Sequence, residues 1–234
     1  MKLNLEVRDE QRKAGAISKI KTVDGVHNIT DFRGKEIAIK VYYTDKESLA
    51  RKVRLIESIC ESQELALWNT PFPWPDVQMN HLDWRIIDAL REDAWRDLKD
   101  VAKSLNVSVR TVQRRLSEMK EGKAVYLSRP PNIDAVGGLM CHFLLFWSDR
   151  DKKRVADKAI YSTFRKLGWA DTSSEQFSTY GISCENFSEA DKVMNKLKVI
   201  DGVLSVRMRI VKEIIILQDW LKVQIAMQLQ SATF

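Results

Sequence analysis

The stretch Leu98-Lys99-Asp100-Val101-Ala102-Lys103-Ser104-Leu105-Asn106-Val107-Ser108-Val109-Arg110-Thr111-Val112-Gln113-Arg114-Arg115-Leu116 decides how this chain is read. Its first part places Leu98, Val101, Ala102 and Leu105 at the spacing of one helix face. Asn106-Val107 then predicts a tight turn, because asparagine tolerates the left-handed conformation. Ser108 can cap a second helix, in which Val109, Val112, Leu116 and Met119 recur at i, i+3, i+7 and i+10 and point inward. The opposite face holds Arg110, Thr111, Gln113, Arg114 and Arg115. These side chains suit base edges and phosphates, close to the N-terminus of a helix that could enter a major groove. A preceding helix runs through Leu82, Ile86 and Leu90. Gly122-Lys123 ends the basic helix, and Ala124 to Leu127 reads as a first wing strand. Residues 78–131 thus read as a winged helix-turn-helix domain.

Charge placement agrees with that reading. Between Lys103 and Pro131 stand seven basic residues (Lys103, Arg110, Arg114, Arg115, Lys120, Lys123 and Arg129) against two acids, Glu118 and Glu121. Between Asp76 and Ala102 there are four basic residues against seven acids. Such separation is expected where one face meets phosphates. On an idealised helix Arg114 lies opposite the apolar stripe, with Arg110 one turn nearer the N-terminus. These two are the candidates for base readout, Arg115 for a phosphate, and Lys123 and Arg129 for phosphates at the wing.

Prolines mark the limits of this domain. They fall in two clusters, Pro71, Pro73 and Pro75, then Pro130 and Pro131, and such clusters resist helix and central strand. The chain divides into 1–68, a Pro/aromatic linker 69–77, 78–131, and 134–234. The first segment reads βαββαβ: a strand at 3–7, a helix at 9–22 with Ala14, Ile17 and Ile20 inward, strands at 26–32 and 36–44, a helix at 46–60 carrying Leu49, Val53, Ile56 and Cys60, and a closing strand at 65–68. The last segment repeats the plan. A strand spans 138–147, and a helix at 151–167 has Val155, Ala159, Ile160, Phe164 and Leu167 inward. Strands follow near 169–175 and 177–184, then a helix after Ser188, a strand at 203–217 and a C-terminal helix at 219–229. Lys19-Ile20-Lys21-Thr22-Val23-Asp24-Gly25-Val26 closely matches Lys196-Leu197-Lys198-Val199-Ile200-Asp201-Gly202-Val203, each a helix end, an Asp-Gly turn and a strand start. The fold class is therefore α+β, a winged helix-turn-helix domain between two ferredoxin-like βαββαβ domains.

Composition bounds what else the chain could do. Apolar residues make up 44% and charged residues 30%, with a net charge of +6, as in an ordinary globular protein. No apolar run is long enough for a membrane span, and the N-terminus is too polar for a signal peptide, so a cytoplasmic location is expected. Cys60, Cys141 and Cys184 form no CxxC pair and are expected as buried thiols. His27, His81 and His142 do not cluster, so no metal site is assigned. No phosphate loop, dinucleotide fingerprint or nucleophile elbow is present, so no catalytic or cofactor-binding residue is assigned. The strand 138–147 is apolar on both faces, with Leu139, Cys141, Phe143, Leu145 and Trp147 on one and Met140, Leu144 and Phe146 on the other. A homodimer covering the second face is the expectation, with the N-terminal segment or the C-terminal helix as the intramolecular alternative.

Asp83-Trp84-Arg85-Ile86-Ile87, Leu90, Glu92-Asp93-Ala94, Leu98, Val101-Ala102-Lys103, Val107-Ser108-Val109, Thr111-Val112 and Arg114-Arg115-Leu116 resemble the Lrp/AsnC family of prokaryotic regulators. The flanking βαββαβ segments look like that family's ferredoxin-like effector and oligomerisation module, here present on both sides of the DNA-binding domain. The resemblance implies a transcription regulator whose partners are double-stranded DNA, a second copy of itself and a small-molecule effector of unknown identity. Gly34 is the one matching effector-module position, and a turn glycine explains it equally. Ser173-Ser174-Glu175-Gln176 stands where the second module would carry a glycine-bearing turn. The alternative is a sirohaem-decarboxylase-like enzyme or ligand sensor that inherited the same architecture.

Overall fold

The computed structural model describes residues 1–62, 64–68, 75–125, 132, 133, 135, 137–164 and 167–231, with 64–68 as a backbone path. The chain divides into two compact units. One combines Met1–Pro71 with Pro130–Leu217, and the other Phe72–Arg129 with Gln218–Phe234.

The first unit contains both βαββαβ segments. In the N-terminal one, β1 (Lys2–Glu6), α1 (Lys13–Ile20), β2 (Val26–Phe32), β3 (Glu36–Val41), α2 (Lys46–Cys60) and β4 (Glu64–Trp68) give the strand order β4-β1-β3-β2. After the helix-turn-helix segment come β5 (Leu139–Trp147), α6 (Arg150–Thr163), β6 (Leu167–Asp171), β7 (Phe177–Cys184), α7 (Phe187–Lys198) and β8 (Val203–Ile216), with the order β8-β5-β7-β6. Both are ferredoxin-like. The matching Asp-Gly turns occupy equivalent places: Gly25 and Gly202 have φ of +80° and +88°, each just before a strand. Asp24 pairs with Lys52 on α2 at 3.0 Å, and Asp201 with Lys152 on α6 at 2.8 Å.

The two halves share one sheet, which the sequence reading does not anticipate. β8 is long enough to serve two partners: its first part, to Ile210, pairs with β5, and Val211 to Ile216 pair with β2. The register slips between Asp31 and Phe32, where Lys212 is left over as a bulge that increases the local twist. The resulting order is β4-β1-β3-β2-β8-β5-β7-β6. In a flat sheet β1 and β7, five positions apart, would be separated by roughly 24 Å. Yet Lys2 Nζ on β1 donates to Thr179 Oγ1 on β7 at 3.3 Å. The sheet therefore folds over, and the faces without helices meet.

Helices cover the outer faces. Leu3, Leu5, Ile29, Ile37 and Ile39 pack beneath Ile17, Ile20, Ile56 and Cys60. Cys141, Phe143, Leu145, Tyr180 and Ile182 pack beneath Ala156, Ile160, Ala190 and Leu197. On the inner faces Phe32 and Ala38 from one half meet Met140 and Val211 from the other, and Leu144 buries against Phe177. The second face of β5, the ground for expecting a second copy there, is thus covered within the chain at Met140 and Leu144.

Two helix faces differ from the expectation. α6 ends at Thr163, and Val155 is 68% exposed while Lys153, Ala156, Asp157 and Ile160 turn inward. In α1 Ala14 is exposed and Lys13 is buried. The cause is the same in both. Lys13 Nζ donates to the carbonyls of Phe32 and Gly34 (the latter at 2.6 Å) and pairs with Asp31 at 2.5 Å. Lys153 Nζ donates to the Thr172 carbonyl at 2.8 Å and to Asp157 at 2.6 Å. Each ammonium satisfies backbone carbonyls at the end of the second strand of its half or just past it, and its stem supplies apolar surface. Asp157 also accepts from Ser178 Oγ at 2.7 Å and from the Tyr180 hydroxyl. Among the described residues no helix is long and apolar enough to cross a membrane.

Candidate nucleic-acid interface

The second unit is built on α3 (His81–Leu90), α4 (Leu98–Leu105) and α5 (Val109–Glu121), around a core of Ile86, Leu90, Val101, Ala102, Leu105, Val112, Leu116 and Met119. The C-terminal helix α8 (Asp219–Ser231) groups with this unit and packs on α3, rather than with the ferredoxin-like segment that precedes it; Ile225 is its buried contact. Val223 and Met227 of the same helix stay exposed, so the amphipathic face expected of it is reduced to this one contact.

The turn between α4 and α5 forms as its residues dictate. Asn106 is left-handed at φ 56°, ψ 47°, and Val107 N donates back to the Ala102 carbonyl at 3.0 Å. Ser108 Oγ accepts from Thr111 N at 3.0 Å and lies 2.8 Å from the Thr111 hydroxyl. These bonds fix the first turn of α5. Arg110, Gln113 and Arg114 stand exposed, and Thr111 half-buried. Arg114 is 60% exposed and pairs with Glu118 at 2.5 Å, a surface contact that costs little to exchange for another anion.

Arg115 departs from its expected role. Its side chain is only 13% exposed, and it grips the fully buried Asp83 through Nε (2.7 Å) and Nη2, and Glu118 through Nη1 at 2.5 Å. The hydrogen bonds to Asp83 push its already high pKa up further. Asp83 in turn accepts from Asn80 N at 2.8 Å in the capping box that starts α3. Arg115 therefore ties α5 to the start of α3, and a phosphate contact from it is withdrawn. The Asn80-x-x-Asp83 spacing announces the cap; the long-range partner has no sequence signal.

Lys123, at φ 58°, has its ammonium 3.0 Å from Asp76 and is exposed. Gly122 is required before it, because a Cβ there would lie 2.6 Å from the Val77 side chain. Ala124 and Val125 pack on the helical core, while the rest of the expected wing strand, and Arg129, lie outside the described residues.

The other candidates are accounted for by packing. His27 stacks on Tyr42 at 4.2 Å, and burial, helped by Lys40, pulls its pKa down to about 3. The three thiols are buried, and burial pushes Cys60 up to about 11 and Cys141 to about 12. Among the described residues no group of His, Cys, Asp and Glu is placed to hold a metal ion. Gly34 sits at φ +79° with open space around it, as a turn glycine does.

Residues 79–120 match the AsnC-type helix-turn-helix domain. None of the curated proteins matches the chain. Among solved structures, AsnC of E. coli is similar at 20% identity over 58% of this chain and 94% of that one, with a TM-score of 0.45. LrpC of B. subtilis is similar at 13% identity over 58% and 96%, with a TM-score of 0.45. A transcriptional regulator of Neisseria meningitidis, solved as an L-Met complex, is similar at 14% identity over 58% and 91%, with a TM-score of 0.47.

Proposed function

We infer that this chain, which carries an AsnC-type helix-turn-helix domain at residues 79–120, is a sequence-specific DNA-binding transcription regulator of Lrp/AsnC type. The observation that carries the reading is the outer face of α5. Arg110, Gln113 and Arg114 are exposed there together, opposite a stripe that the domain core consumes. Arg110 and Arg114 are assigned to base edges, most simply guanine O6 and N7, with Gln113 beside them. Ser108 and Thr111 at the helix start, and Lys123 beyond its end, are assigned to phosphates, together with Arg129.

One chain supplies one recognition helix. Reading a two-fold operator therefore takes a homodimer, with half-sites about 34–36 Å apart. Gating by a small-molecule effector, and a cytoplasmic site of action, extend the same reading, as does the absence of an enzymatic role. The test is binding-site selection on purified protein, followed by anisotropy titrations at several salt concentrations. A selected site with steep salt dependence is expected; no sequence enrichment would overturn the reading. An absorbance spectrum of the same sample separates it from a tetrapyrrole enzyme of like architecture.

A further inference from the structure

The inner faces of the folded sheet hold polar side chains that are buried and incompletely paired. Asn4 on β1, His142 on β5 and Arg209 on β8 are 1%, 2% and 6% exposed. They come from both ferredoxin-like halves and converge. The Arg209 guanidinium donates through Nη2 to His142 Nδ1 at 3.2 Å and to Asn4 Oδ1 at 3.5 Å. Its Nη1 holds Glu36 at 3.0 Å, and its plane lies 4.1 Å over the Phe32 ring. A guanidinium only donates, so Nδ1 is the accepting nitrogen of His142 and the ring proton sits on Nε2. Burial, then Arg209 and Lys2, hold the His142 pKa well below its usual value, so the ring is neutral.

What remains unpaired leans to one side: Asp171 Oδ2 is a buried acceptor without a partner among the described residues, but the donors outnumber it. Among the described residues Asn4 Nδ2, His142 Nε2 and Arg209 Nε are buried without a hydrogen-bond partner, and with this tautomer all three are donors. Buried donors lacking an acceptor are rare in folded proteins and call for an explanation. The local charge has the same bias: Lys2, Lys40, Arg207 and Arg209 act here against the carboxylates of Glu36 and Asp171. Small neighbours flank the donors. Ala38 lies opposite Asn4, and Gly181 lies opposite His142, where the Trp169 ring rests so closely that a Cβ would be 2.3 Å from it.

We propose that the interior between the two sheet faces is a binding site for a small oxyanion, whose oxygens accept from Arg209 Nε, His142 Nε2 and Asn4 Nδ2. Charge-assisted bonds of this kind are strong where water is excluded. The site stands apart from the DNA-binding reading, since every residue in it belongs to the ferredoxin-like unit.

The test follows the imidazole nitrogens by long-range proton–nitrogen NMR, which three histidines keep resolvable. Wild-type protein is titrated with sodium acetate and, separately, with inorganic phosphate. A saturable shift of His142 Nε2, with His27 and His81 unmoved, is expected for at least one probe. Acetate alone identifies a carboxylate ligand, and phosphate alone an inorganic one. Asn4→Asp gives the interior its own carboxylate and should abolish the response. Asn4→Leu deletes one donor and should weaken it several-fold. The proposal is overturned if neither probe moves His142, if all three histidines move alike, or if the response survives unchanged in both variants.

Discussion

Deleting the Arg115 guanidinium would leave the Asp83 carboxylate buried with the α3 cap as its remaining support. Arg115→Ala should therefore destabilise the helical unit by about 3–5 kcal/mol, and replacing Asp83 and Arg115 together with apolar residues should restore much of that loss. Thermal unfolding followed by circular dichroism measures both. Its neighbour behaves in the opposite way. Arg114→Ala should leave stability within about 0.5 kcal/mol but cost about 1–3 kcal/mol of binding and relax preference at one base pair, as read by titration against a randomised site. Adjacent arginines thus separate into a structural and a recognition role. Lys2 gives a residue-scale signature of its own. Burial lowers its pKa from 10.5 to about 7, with Lys40 and Arg209 lowering it and Asp171 opposing. Between those values the unfolded chain carries a proton at this side chain that the folded chain lacks. Stability should therefore rise with pH across that window, by a few kcal/mol. Urea titrations at stepped pH should show the slope in wild type and its loss in Lys2→Met.

At the scale of elements, the α4–α5 turn and cap are the most direct expression of sequence in this protein. Ser108→Ala should cost about 1 kcal/mol through the lost bond to Thr111 N. Asn106→Gly should be tolerated and Asn106→Val should not, since a β-branched residue resists φ of 56°. Unfolding midpoints of the three variants check this ordering. The helix-turn-helix was legible because its apolar spacing, turn residue and cap all lie within about twenty residues. Both ferredoxin-like halves were legible for the same reason, as periodic elements closed by Asp24-Gly25 and Asp201-Gly202. The faces of α1 and α6 were not, because apolar counting turns Ala14 and Val155 inward and cannot know that Lys13 and Lys153 have carbonyls to reach. Nor was the pairing of β8 with β2: the run to Ile216 shows its length, but an edge partner so distant in sequence leaves no local trace.

For the whole molecule, the folded sheet means that neither ferredoxin-like half is complete alone. A fragment beginning at residue 78 lacks Phe32 and Ala38 and so bares Met140 and Val211. Light scattering should find that fragment associating or aggregating, whereas the intact protein should give a discrete particle of about twice 27.1 kDa; a full-length monomer at micromolar concentration would remove the dimer from the DNA-binding scheme. The shared strand also bears on biosynthesis. On the ribosome β2 is finished at Phe32, yet the residues that pair with its outer edge begin at Val211. At ordinary elongation rates that edge waits roughly 10–35 s, able to accept a strand from any neighbouring nascent chain. Polysomes are thus where mispairing between copies would arise, and slowing translation downstream of the helix-turn-helix segment should increase exchanged, interlocked dimers.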